Sequence, residues 1–113
     1  MTREYGDYVQ DIIGSIDKAM KFVENMTFDQ FVEDDKTIFA VTRAIEIIGE
    51  AVKNIPDEVK LKHPEIPWRE IAGTRDKIAH EYFGVDLEII WNVIKERVPG
   101  LKENFKKIMD ELQ

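Results

Sequence analysis

Residues 35–54 read DKTIFAVTRAIEIIGEAVKN, and the fold class follows from this stretch. Ile38, Val41, Ile45, Ile48 and Val52 recur at steps of three and four residues, with Ala44 and Ala51 beside them. That period lines apolar side chains along one stripe of an α-helix, whereas a half-buried strand alternates at every second residue. Asp34 and Asp35 stand where the helix dipole favours negative charge, and Asn54-Ile55-Pro56 closes the segment.

The same period extends in both directions. From about Tyr5 to Val23 the stripe is Tyr5, Val9, Ile12, Ile16, Ala19, Met20 and Val23, which Gly6 and Gly14 weaken but do not break. Thr27-Phe28-Asp29-Gln30 has the spacing of a capping box and predicts a short helix, pinned by Phe28 and Phe31. Residues 56–67 hold three of the four prolines and form a connector with one helical turn at Asp57–Leu61. Pro67 suits the first position of a helix running to Tyr82, and Gly84 suits its stop. Asp86 caps a final stripe of Leu87, Ile90, Ile94, Val98, Leu101, Phe105, Ile108 and Leu112, with Pro99 predicting a kink or break inside it. No strand-like alternation and no repeat occurs. The expected architecture is an all-α antiparallel bundle of four main helices plus one or two short ones, formed by residues 1–113 as one domain.

Composition narrows the chemistry. Of 113 residues, 43% are hydrophobic and 35% charged, which suits a folded chain rather than a disordered one. The absence of cysteine excludes disulfides and thiolate metal sites. No Gly-rich phosphate loop and no Gly-x-Ser-x-Gly elbow is present. The two histidines never follow a glutamate at the three-residue spacing of a di-metal bundle site, so neither a metal nor a cofactor is expected. The N-terminal residues carry acids and lack an apolar core, and no apolar run approaches a membrane span, so a cytoplasmic protein is expected. Sixteen basic against twenty-three acidic residues leave a net charge of −7, which repels nucleic acid at long range. RNA binding would therefore need a local basic patch.

The candidate chemistry lies in residues 68–86, WREIAGTRDKIAHEYFGVD. On a helical wheel with Arg75 at zero, Trp68, Ile71, Ala72, Ile78, Ala79 and Tyr82 all lie within about 60°. Arg75 thus interrupts an apolar stripe, and its guanidinium must find acceptors. One reading pairs it with Glu46 or Glu50 on the preceding long helix; the other leaves it in a cleft awaiting an anion. His80 lies about 140° from Arg75 on the wheel, so the two cannot reach one atom from a single straight helix. A bend near His80 or a second chain would be needed. His80 alone reads more often as a surface or capping residue at a helix end, and Tyr82 reads equally as a core aromatic.

Arg75-Asp76-Lys77-Ile78-Ala79-His80-Glu81-Tyr82 resembles the Arg-x4–6-His signature of HEPN domains, in the Arg-x4-His-x-Tyr form of HepT toxins. Residues 42–51 and 67–73 resemble other recurrent blocks of that family, so the likeness spans the chain. The resemblance implies a HEPN fold and a metal-independent endoribonuclease acting on RNA, tRNA among its substrates. It makes His80 the general acid or base, Arg75 the stabiliser of phosphorane charge, and Asp76 an auxiliary that orients them. It also implies a homodimer with two motifs facing one cleft. The implied partner is a minimal nucleotidyltransferase antitoxin of the MntA kind, which transfers AMP to Tyr82 and can join the dimer in a larger hetero-oligomer. The competing expectation, favoured by the acidity, is a non-catalytic HEPN module that only partners such a nucleotidyltransferase.

Overall fold

The computed structural model describes residues 4–80 and 86–112, with Ala79 and His80 described by their backbone alone. Seven α-helices follow in order: α1 Tyr5–Phe22, α2 Phe28–Val32, α3 Asp35–Lys53, α4 Asp57–Lys62, α5 Trp68–His80, α6 Leu87–Asn92 and α7 Val98–Glu111. A π-helical turn, Val93–Arg97, joins α6 to α7. The described residues contain no strand. Helices α1, α3, α5 and the continuous α6–α7 arm are the four main elements, with α2 and α4 as the short ones.

Local chemistry starts these helices where the sequence predicts. Thr27 Oγ1 accepts from the Gln30 amide at 3.1 Å, and the Gln30 side chain accepts from the Thr27 amide at 2.9 Å. This reciprocal box satisfies two amides that the first turn would leave unpaired. Asp34 Oδ1 accepts from the Thr37 amide at 3.0 Å, and that bond holds the Asp34 carboxyl below its ordinary pKa. Asp86 accepts from the Glu88 amide at 2.9 Å. Between α1 and α2, Asn25 takes a left-handed backbone, φ 63°, which asparagine tolerates better than most residues.

The arm formed by α6, the π turn and α7 runs along both α1 and the α4–α5 side. Along α1 its contacts run antiparallel: Gly6 lies against Leu112, Asp17 bonds Lys102 at 2.6 Å, and the Val23 carbonyl accepts from Lys95 at 3.2 Å. Along the α4–α5 side the direction is again opposite. Glu111 meets His63 at 3.0 Å, Phe105 packs edge-on to Trp68 at 5.6 Å, and Arg97 pairs with Glu70. The resulting core is aliphatic with two fully buried rings, Phe31 and Phe105. Phe31 and Phe28 both pack on Trp91, at 5.2 and 6.0 Å between ring centroids, which seats α2 on the arm.

Pro99 does not end the arm, which stays helical from Leu87 to Glu111. A proline in an α-helix lacks a donor, and its ring collides with the carbonyl four residues earlier. Here the backbone widens one turn ahead: the Val98 amide bonds the carbonyl of Val93, five residues back. The proline then sits in the first turn of α7, where a missing donor costs little. At the other predicted boundary, Pro67 precedes α5, and its carbonyl accepts the first helical bond from Ile71 at 3.0 Å. The predicted stop at Gly84 lies outside the described residues.

Core and surface aromatics should separate cleanly in stability. Phe31→Ala is expected to lose about 3–5 kcal/mol, as for buried rings elsewhere. Phe39→Ala, whose side chain is 63% exposed, should stay within about 0.5 kcal/mol of the parent. Urea unfolding measures both, and a Phe31→Ala loss under about 1 kcal/mol would contradict this packing.

Candidate active site

The site begins with a glycine. Gly49 lies buried on the inner face of α3, and a Cβ added there would overlap Cβ and Cγ of Arg75. A glycine inside a helix costs about 1 kcal/mol relative to alanine. Here it allows α5 to cross α3 with the Arg75 stem laid directly on the α3 backbone. The stem is thereby covered and the guanidinium emerges at the edge of the crossing, leaving the side chain 25% exposed.

Four alternating charges meet at that edge. Arg75 Nη2 donates to Glu50 Oε1 at 3.0 Å, and Nη1 donates to Asp76 Oδ1 at 3.2 Å. Lys53 Nζ donates to the same Asp76 oxygen at 2.5 Å. Glu50 and Lys53 belong to α3, Arg75 and Asp76 to α5, so the row ties the two helices together. The Lys53 bond first, and the Arg75 bond second, hold the Asp76 carboxyl below its ordinary 3.8. The bonds to Glu50 and then Asp76 push Arg75 upward from an already permanent charge. Arg75 Nε is buried with no hydrogen-bond partner among the described residues. A guanidinium carries five N–H donors, and the bonds described engage two of them. The group is oriented but unsaturated, as a receptor for an oxyanion must be.

Of the two carboxylates that the sequence offers Arg75, the structure selects Glu50, while Glu46 bonds Arg43 at 3.3 Å. The pair is not a sealed interior one, because the Glu50 side chain is about half exposed. Such pairs are weak and exchangeable, so possession of a carboxylate partner does not close Arg75 to an incoming phosphate. Arg75 and Asp76 are thus brought together. The His80 backbone belongs to α5 and is the last of it described, while its side chain and Tyr82 lie outside the described residues. The other histidine, His63, is buried between Glu65 and Glu111 at 3.3 and 3.0 Å and braces the connector against α7. Among the described residues no three His, Asp or Glu side chains gather as a metal ion requires.

Two contributors escape the sequence reading. Gly49 leaves a trace there, an interior glycine in an otherwise strong helical stripe. Lys53 leaves none, since its partner is 23 residues away and meets it only through the crossing.

Two measurements probe this arrangement. Gly49→Ala should destabilise the fold by about 1–3 kcal/mol through overpacking, read as a lower unfolding midpoint. An unchanged midpoint would mean that the helices do not cross this closely. The depressed Asp76 carboxyl adds stability at pH values above its unfolded pKa of about 3.9. That contribution disappears as pH falls through the lower folded value. In Lys53→Met the Asp76 midpoint should move up toward 3.8, followed by carboxyl carbon NMR. A stationary midpoint would remove Lys53 from the row.

The chain is similar to known proteins along most of its length. The family model described as "Ribonuclease HepT-like" matches residues 12–108, which include the whole α3–α5 crossing. The chain is 51% identical over 108 residues to "Probable ribonuclease HepT" of Thermococcus cleftensis, covering 96% of this chain and 98% of that one. It is 39% identical over 111 residues to a provisionally named RNase of Methanocaldococcus jannaschii, covering 98% and 92% respectively. A similarly named RNase of Caldanaerobacter subterraneus subsp. tengcongensis is 43% identical over 104 residues, covering 92% and 93%. No solved structure matches the chain. With a family match over most of its length and near full-length relatives, this chain belongs to the HepT-like ribonuclease family.

Proposed function

We propose that the protein is a metal-independent endoribonuclease, the toxin of a toxin–antitoxin pair, working as a homodimer. The observation that carries this reading is the Arg75 guanidinium, held at the solvent edge of the α3–α5 crossing with donors unspent, on the helix that also carries His80.

In the proposed reaction the RNA itself supplies the nucleophile. One His80 takes the proton of the ribose 2′-hydroxyl as its oxygen bonds to the adjacent phosphorus. The bond from phosphorus to the 5′-oxygen breaks, and His80 of the partner subunit returns a proton to that leaving oxygen. The products are a 2′,3′-cyclic phosphate and a free 5′-hydroxyl. Arg75 donates to the non-bridging oxygens, whose negative charge grows in the transition state. Asp76, fixed by Lys53, orients Arg75 from the side away from Glu50. Twofold pairing resolves the roughly 140° separation of Arg75 and His80, because each chain need supply only part of the reacting group's surroundings.

Control of the toxin is proposed to act on Tyr82. A partner nucleotidyltransferase would join the α-phosphorus of ATP to the phenol oxygen, with pyrophosphate leaving and the phenol proton lost. The added phosphate, two residues beyond His80, would compete for Arg75 and repel the substrate backbone.

Purified protein is expected to cleave a tRNA pool in EDTA. His80→Ala should lower the rate about 10²–10⁴-fold at unchanged melting temperature. Equal cleavage by parent and His80→Ala would assign the activity to a contaminant. Incubation with a minimal nucleotidyltransferase of the MntA kind and ATP should add AMP to the parent mass and not to Tyr82→Phe. Undiminished labelling of that variant would remove Tyr82 as the acceptor.

A further inference from the structure

An acidic chain that handles RNA needs a place where its charge reverses, and the α3–α5 row sums to zero. The opposite flank of α5 differs. A groove of about 320 Å³ runs there between α5 and the arm, along α6 and the π turn. Lys77 and Arg97 bring two cations to it, against one acid, Glu70. Its floor is apolar, made by Ile78, Ile89 and Val93. Ile89 remains 38% exposed, unusually open for a large aliphatic side chain beside a packed core. Asn92 supplies an amide that can both donate and accept. Two cations, an apolar shelf and one amide are the complement of a nucleotide's phosphate, base face and base edge.

Placement links this groove to the motif. Lys77 stands one turn before His80 on α5, within about 60° of it in helical register, whereas Arg75 is about 140° away. Among the described residues Lys77 has no carboxylate partner. Arg97 pairs with Glu70, but both side chains are about half exposed, so the pair is weak and a phosphate can take the glutamate's place in it. Arg97 closes the π turn, and the extra residue in that turn resets the register in which the arm meets α5. The widened turn that accommodates Pro99 therefore also sets where a cation stands opposite Lys77.

We propose that this groove is a nucleotide subsite, holding the nucleotide next to the cleaved phosphodiester, with Lys77 and Arg97 on its phosphate, Ile89 and Val93 under its base and Asn92 at the base edge. The assignment rests on the ribonuclease reading above. A mononucleotide offers the same chemistry, so the test carries both ligands.

The experiment uses the full chain and a 2′-O-methyl hexanucleotide, which can bind but lacks the 2′-hydroxyl needed for cleavage. Fluorescence anisotropy across a salt series gives affinity and its salt dependence; AMP is titrated as competitor. The variants are Lys77→Gln, Arg97→Gln, their double, and Lys106→Gln, a charge removed from α7 outside the groove. The double variant should bind about 10–100-fold more weakly, and the salt slope should shrink by about 0.7 for each lost phosphate contact on a single strand. Lys106→Gln should match the parent. If AMP competes in the parent and not in the double variant, a single nucleotide fills the groove. If only the hexanucleotide binds, the strand is needed; either result supports the subsite. A double variant indistinguishable from Lys106→Gln overturns it, as does a parent that binds neither ligand. Intact binding without cleavage in EDTA would sink the nuclease reading alone, and cleavage with binding indifferent to Lys77 and Arg97 would sink the subsite alone.

Discussion

The close crossing of α3 and α5 at Gly49 is the constraint on which the rest of the molecule depends. A guanidinium cannot shed its charge, so an arginine in an apolar stripe must either reach acceptors or reach water. The glycine lets it do both. With the stem on bare backbone, the head group arrives beside Glu50 and Asp76 and still faces solvent. A larger residue at position 49 would push the helices apart, and the row of charges would lose its spacing. Orientation is thus achieved with surface-grade ion pairs, which can be remade around a phosphate without stranding a charge in the interior.

The C-terminal arm performs a second task. It packs antiparallel along α1 and also meets the α5 side through Phe105–Trp68 and Arg97–Glu70, so it braces from a second side the helix that α3 holds. Its proline is accommodated by widening one turn rather than by breaking, with Ile94 inside that turn and Val98 just after it both buried. Helix α5 consequently has two charged flanks, one placing Arg75 against α3 and one placing Lys77 in a groove shared with Arg97 of the arm. A net charge of −7 and an RNA-handling role are compatible on these terms. Net charge governs long-range encounter, while the contacts that hold a strand are local.

Much of this was legible in the chain. Period and caps determined the helices: the stripe of residues 38–52, the Thr27–Gln30 box and the Asp86 cap all act within a few residues, so neighbouring side chains suffice to specify them. The Arg75-x4-His80-x-Tyr82 spacing singled out the candidate helix, and an arginine in an apolar stripe required acceptors. Tertiary structure decided what that partner would be. Glu46 and Glu50 were equal candidates by sequence, and the depth of the crossing at Gly49 aligned Glu50 alone with the guanidinium. Lys53 joined Asp76, and Arg97 came to stand across from Lys77, for the same reason. Helical periodicity tells which side of a helix faces inward, but the register between two helices depends on the volumes of side chains far apart in sequence, and those volumes act only once the helices are packed.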